Sequence, residues 1–123
     1  MAQRTLDHAA VRIRNLDRSR QFYEGLLGLT PAERPDLGVP GMWYALGEAQ
    51  VHLLQTEGMV STAIDPTAPH FAIQVDDLDA VRKQLQQAGI EMFELGPNLL
   101  WVRDPDGNTV ELRSRQAAAV FRT

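Results

Sequence analysis

His8-Ala9-Ala10-Val11-Arg12-Ile13-Arg14-Asn15-Leu16-Asp17 and His70-Phe71-Ala72-Ile73-Gln74-Val75-Asp76-Asp77-Leu78-Asp79 are two versions of one pattern, offset by 62 residues (position 8 to position 70). His, Ala, Leu and Asp recur identically, and Val11 and Ile13 exchange with Ile73 and Val75. Arg20 and Arg82 carry the match into the segment that follows. The period is too long for a solenoid repeat, so two copies point to a duplicated module.

Both copies predict the same order of elements. Leu6–Ile13 alternates roughly as a strand, and Phe71, Ile73 and Val75 mark a cleaner one. Asn15 or Asp17, and Asp76 or Asp77, are candidate helix N-caps. Ser19, Phe22, Tyr23, Leu26 and Leu27 then keep helical spacing up to Gly28, as Leu78, Val81, Leu85 and Ala88 do up to Gly89. Three short strands follow each helix: Thr30–Arg34, Met42–Leu46 and Gln50–Gln55, then Ile90–Leu95, Leu99–Arg103 and Thr109–Arg113. Asp104-Pro105-Asp106-Gly107-Asn108 closes the last hairpin. The expected fold is therefore α+β, with two βαβββ modules. Module one takes residues 4–56, a linker 57–68, module two 69–114 and a tail 115–123. One such module buries too little core to stand alone, so the two are expected to pack as a single domain.

The composition excludes several classes of function. A chain of 123 residues, 44% hydrophobic and 23% charged, has the size and balance of one globular domain. Lys+Arg 12 against Asp+Glu 16 leaves a net charge of −4 without blocks of either sign, which argues against nucleic-acid binding. Lys83 is the single lysine, so a polybasic membrane patch is excluded. No cysteine is present, which removes disulfides, thiolate zinc, iron–sulfur clusters and a cysteine nucleophile together. With no apolar leader or spanning segment, a soluble cytoplasmic protein is expected.

The three histidines are the chemically informative residues. His8 and His70 open the first strand of each copy. Val51-His52-Leu53 aligns with Val110-Glu111-Leu112, so His52 and Glu111 are partners on the last strands. Strand alternation sends Phe71, Ile73, Val75, Val51, Leu53, Val110 and Leu112 toward the helices. His8, Ala10, Arg12, His52, Leu54, His70, Ala72, Gln74, Thr109, Glu111 and Arg113 then take the opposite faces. A lone strand histidine is usually a hydrogen-bonded structural residue, but here all three, with Glu111, fall on repeat-related positions. His8, His52, His70 and Glu111 form a good ligand set for Zn, Ni, Fe, Mn or Co.

In Leu6-Asp7-His8 through Phe22-Tyr23 to Leu27-Gly28-Leu29, in His70 through Gly89, and in Val102-Arg103-Asp104-Pro105-Asp106-Gly107-Asn108-Thr109-Val110-Glu111-Leu112, the chain resembles the vicinal-oxygen-chelate superfamily. That group includes glyoxalase I, extradiol dioxygenases, fosfomycin-resistance enzymes and bleomycin-binding proteins. The resemblance implies an open barrel-like cup formed by the paired modules of one domain, residues 1–123, and often completed in a homodimer. It implies a divalent metal held at His8, His52, His70 and Glu111, with Glu111 also moving a proton. Glyoxalase I members usually carry a carboxylate at the place of His52. Fosfomycin-resistance members hold phosphonate with a cationic loop, which Glu94-Leu95-Gly96-Pro97-Asn98 is not. Bleomycin-binding members lack the ligands altogether.

Parity also aims Arg12, Gln74, Trp101 and Arg113 toward the cup, with Trp43 beside them, as candidate contacts for a small-molecule substrate. The leading expectation is glyoxalase-, epimerase- or isomerase-like chemistry through a metal-stabilised enolate. Two alternatives stay open: an Fe(II) extradiol-type dioxygenase using His8, His70 and Glu111, and a protein that sequesters a small molecule without turnover.

Overall fold

The computed structural model describes residues 6–57, 64, 66 and 69–114. The chain divides into two compact units, residues 1–58 and 59–123. Most of the expected linker and the whole of the expected tail lie outside the described residues.

The first unit runs β1 (His8–Ile13), α1 (Leu16–Arg20), β2 (Thr30–Ala32), β3 (Gly41–Leu46) and β4 (Ala49–Gln55). Its strands form one sheet in the order β1-β4-β3-β2. β1 lies parallel to β4, and the other pairs are antiparallel. The parallel pair needs a crossover, which the helix and the two intervening strands provide. The second unit repeats this arrangement with β5 (Phe71–Gln74), α2 (Leu78–Gln87), β6 (Met92–Glu94), β7 (Leu99–Arg103) and β8 (Thr109–Arg113), in the order β5-β8-β7-β6. Two βαβββ modules are thus present. The outer strands β2 and β6 are shorter than the alternation suggested, each breaking off toward a loop rich in proline and glycine.

The helix starts obey the same rule in both copies. Asn15 Oδ1 accepts from Arg18 N at 2.9 Å, and Asp77 Oδ1 accepts from Ala80 N at 3.0 Å. Each satisfies an amide that the first turn leaves without a partner. Both helical segments stop at a glycine with positive φ, Gly28 at 70° and Gly89 at 72°. The interiors differ. Asn15 to Gly28 is one residue longer than Asp77 to Gly89, and the first copy absorbs the extra residue as a π-helical stretch, Gln21–Leu26. Leu27 N accordingly donates to Phe22 O, five residues back. The wider turn buries the adjacent Phe22 and Tyr23 together, where a regular helix was expected throughout.

Each sheet packs one face on its helical segment. Ile13, Phe22, Tyr23, Tyr44, Val51 and Leu53 are buried in the first unit, and Ile73, Leu78, Leu85, Leu100, Val102, Val110 and Leu112 in the second. Burying a side chain of this size stabilises by about 1.5–3 kcal/mol. The repeat-matched arginines pin the helices. Arg20 Nε donates to Glu24 Oε2 at 2.6 Å, and the same oxygen accepts from the buried Tyr44 hydroxyl at 2.8 Å. Burial and the Glu24 carboxylate push the Tyr44 phenol above its usual range. Arg82 bonds Asp79, Glu94 and the Pro97 carbonyl, tying α2 to the β6–β7 hairpin. In the last hairpin, Asp104 accepts from the amides of Asp106 and Asn108, which fixes how β8 is presented.

Candidate functional site

The register places the chemically informative side chains on the face of each sheet that is turned from its helix. In the first unit, Ala10 lies opposite His52 and His52 opposite Trp43, so these three strands contribute to one row. His8 and Arg12 share that face at two residues on either side of Ala10. In the second unit the corresponding row is Ala72, Glu111, Trp101 and Phe93. His70 immediately precedes β5, two residues before Ala72, and Gln74 lies opposite Arg113. The duplication therefore extends to the tryptophans: Trp43 faces His52 across β3–β4 as Trp101 faces Glu111 across β7–β8.

His52 is the middle ring of a stack. Its centroid is 4.1 Å from that of His8 at an interplanar angle of 16°, and 4.0 Å from that of Trp43 at 7°. Burial, followed by the neighbouring His8 and weakly by Arg34, lowers the His52 pKa from its ordinary value, with Asp7 opposing. The neutral ring is thereby favoured at pH 7. His52 Nε2 donates to Gln50 Oε1 at 2.8 Å, and His8 Nδ1 donates to Asp7 Oδ2 at 2.7 Å. A ring that donates one nitrogen in this way keeps its second nitrogen as the one able to bind a cation. Near-parallel rings direct their nitrogens along separate planes, so one ion reaches both only if a ring turns. The half-exposed His8 has room for that rotation.

In the second unit, His70 Nε2 donates to Glu111 Oε1 at 3.1 Å, while Arg113 Nε stands 3.4 Å from Glu111 Oε2. The Glu111 side chain is only 12% exposed, so this carboxylate is held by its neighbours more than by water. Trp101 is buried, packs edge-on to Phe93 at 5.8 Å, and has no partner for its Nε1 among the described residues.

Each unit thus brings together one pair of candidate ligands, His8 with His52 and His70 with Glu111. Among the described residues, neither unit gathers three or more such donors by itself. Chemically the donors suit a borderline divalent ion: neutral imidazoles, one carboxylate and no thiolate. Asp7 and Gln50, which fix the ring orientations, were not anticipated. Gln50 was legible by parity from His52, and Asp7 by adjacency to His8. Arg34, in the loop after β2, had no periodic signal to reveal it. Its guanidinium packs against Gly41, where an added Cβ would lie 2.9 Å from Nη2.

Residues 5–112 match the family model of the Glyoxalase/Bleomycin resistance protein/Dioxygenase superfamily. The chain is 32% identical over 120 residues to Glyoxylase I 4 of Arabidopsis thaliana, covering 88% of this chain and 69% of that protein. It is 30% identical over 118 residues to a lactoylglutathione lyase of Haemophilus influenzae, covering 85% and 87%. Among solved structures, the trypanothione-dependent glyoxalase I of Leishmania major superposes with a TM-score of 0.72 at 23% identity, covering 96% of this chain and 91% of that one.

Proposed function

The chain belongs to the Glyoxalase/Bleomycin resistance protein/Dioxygenase superfamily, and on that premise we propose that it is a divalent-metal-dependent enzyme with glyoxalase-, epimerase- or isomerase-like activity on a small molecule. The observation that carries this reading is the matched construction of the two ligand pairs, one in each unit. Each sets a first-strand histidine beside a ligating residue on the last strand, with a tryptophan across the next ladder.

His8, His52, His70 and Glu111 are the proposed ligands. These donors would hold a divalent cation, which when bound would supply Lewis acidity to a substrate with neighbouring oxygens. Proton movement belongs to Glu111. One of its oxygens meets His70 and the other faces the Arg113 guanidinium, an arrangement that orients the carboxylate toward a fixed position. Arg12, Gln74 and Arg113 are proposed to hydrogen-bond the polar end of the substrate, and Trp43 and Trp101 to form apolar walls that limit water. A homodimer is proposed as the working form.

The test begins with elemental analysis of protein purified without chelators. Bound divalent metal, lost in both His52→Ala and Glu111→Ala, supports the ligand set. The same preparations are then offered the hemithioacetal of methylglyoxal and glutathione, with thioester formation and solvent deuterium uptake as readouts. A protein that retains no divalent ion would falsify this reading and favour a sequestering role. Oxygen consumption with catechols on Fe(II)-loaded protein, unchanged in His52→Ala, would favour ring cleavage instead.

A further inference from the structure

Arg34 is not explained by the fold. Its Nη2 donates to the Val39 carbonyl at 2.8 Å across the β2–β3 loop, and its Nε is buried without a hydrogen-bond partner among the described residues. It also has no ion-pair partner among those residues, although Glu33 and Asp36 lie next to it in sequence. Asp36 instead accepts from Gly38 N at 3.0 Å. A partly buried guanidinium with one bond from its five N–H groups is costly unless something completes its shell.

The surroundings make room for this side chain. At Gly41 a Cβ would lie 2.9 Å from Arg34 Nη2 and 3.1 Å from Cζ, so the absent side chain leaves the space the guanidinium uses. Gly41 begins β3 two residues before Trp43, and it pairs with Leu54 of β4, two residues after His52. A cation lacking a counterion therefore stands beside the stack of His8, His52 and Trp43.

The geometry points to Arg34 as an anion-binding residue beside His52 and Trp43, holding the carboxylate of a small organic acid whose apolar part lies toward Trp43. A guanidinium matches a carboxylate by paired N–H bonds, and with Nε buried the end-on fork of Nη1 and the second N–H of Nη2 is the one that such pairing would use. The inference deepens the proposed function by naming a substrate class, and it uses none of the proposed metal ligands.

Isothermal titration with 3-phenylpropionate and with 3-phenylpropionamide tests it, on protein as purified and again after dialysis against a chelator. Wild type binds the acid at least about tenfold more tightly than the amide, as expected for a charge-assisted pair. Arg34→Gln removes the discrimination, Arg34→Lys keeps part of it as a point charge, and added salt weakens acid binding in wild type and in Arg34→Lys but not in Arg34→Gln. Circular dichroism checks that both variants fold. Equal affinity for acid and amide in wild type overturns the inference, as does unchanged discrimination in Arg34→Gln. Metal content is measured on the same samples. Metal retained with discrimination intact in Arg34→Gln sinks this inference alone, whereas discrimination lost in a protein that never held metal sinks the metal reading alone.

Discussion

Gly41→Ala tests the geometry beside the stack of His8, His52 and Trp43. The added methyl would overlap the Leu53 carbonyl oxygen and crowd the Arg34 guanidinium. Arg34 can swing away, since it is the far end of a flexible side chain. The carbonyl cannot, because Leu53 is fixed in the β3–β4 ladder and its side chain is fully buried. Relief requires the start of β3 to move from β4, straining the bond from Gln55 N to Pro40 O at 2.8 Å. Overpacking of this kind costs about 1–3 kcal/mol. In a domain of this size that lowers Tm by roughly 4–12 °C. Gly25→Ala is the internal control: a Cβ there meets nothing within 4 Å and the site is helical, so a gain of about 0.5–1 kcal/mol is expected. Urea denaturation followed by circular dichroism measures both, with unchanged m values confirming that only stability moved. Gly41→Ala within 0.5 kcal/mol (roughly the scatter of neutral surface changes) of wild type would show that the backbone clash is not real.

Three further outcomes follow from the same geometry. The His52 ring, followed by NMR, titrates below its ordinary 6.5 because burial disfavours its charged form; the folded state then binds fewer protons than the unfolded chain, so this group's contribution is intact above about pH 6.5 and is lost as pH falls from there through the folded value. Tyr44→Phe removes the hydroxyl bonded to Glu24 and lowers stability by about 1–2 kcal/mol in denaturant titrations, and no change would mean that water replaces it at no cost. Mixing His8→Ala chains with Glu111→Ala chains restores part of the metal binding if ligands are shared across a homodimer, whereas two inert variants that stay inert place each complete site within one chain.

The internal repeat settled most of the fold. Two histidines 62 residues apart, each followed by an apolar alternation, a polar cap and a glycine stop, specify βαβββ twice, because strand and helix periods are local properties of sequence. The faces of His8, His52, His70 and Glu111 were legible for the same reason, since a strand alternates at every residue. What the sequence did not carry was register and non-periodic contact. Pairing of His52 with Trp43, and of Glu111 with Trp101, depends on where each hairpin turns. The stack of His8, His52 and Trp43 depends on side-chain rotation within that register. The π-helical stretch arises because one extra residue must fit between fixed ends while Phe22 and Tyr23 both stay buried. Arg34 sits in a loop, where no period exists to project a direction, and only the space left by Gly41 in the folded chain brings its charge beside the histidines.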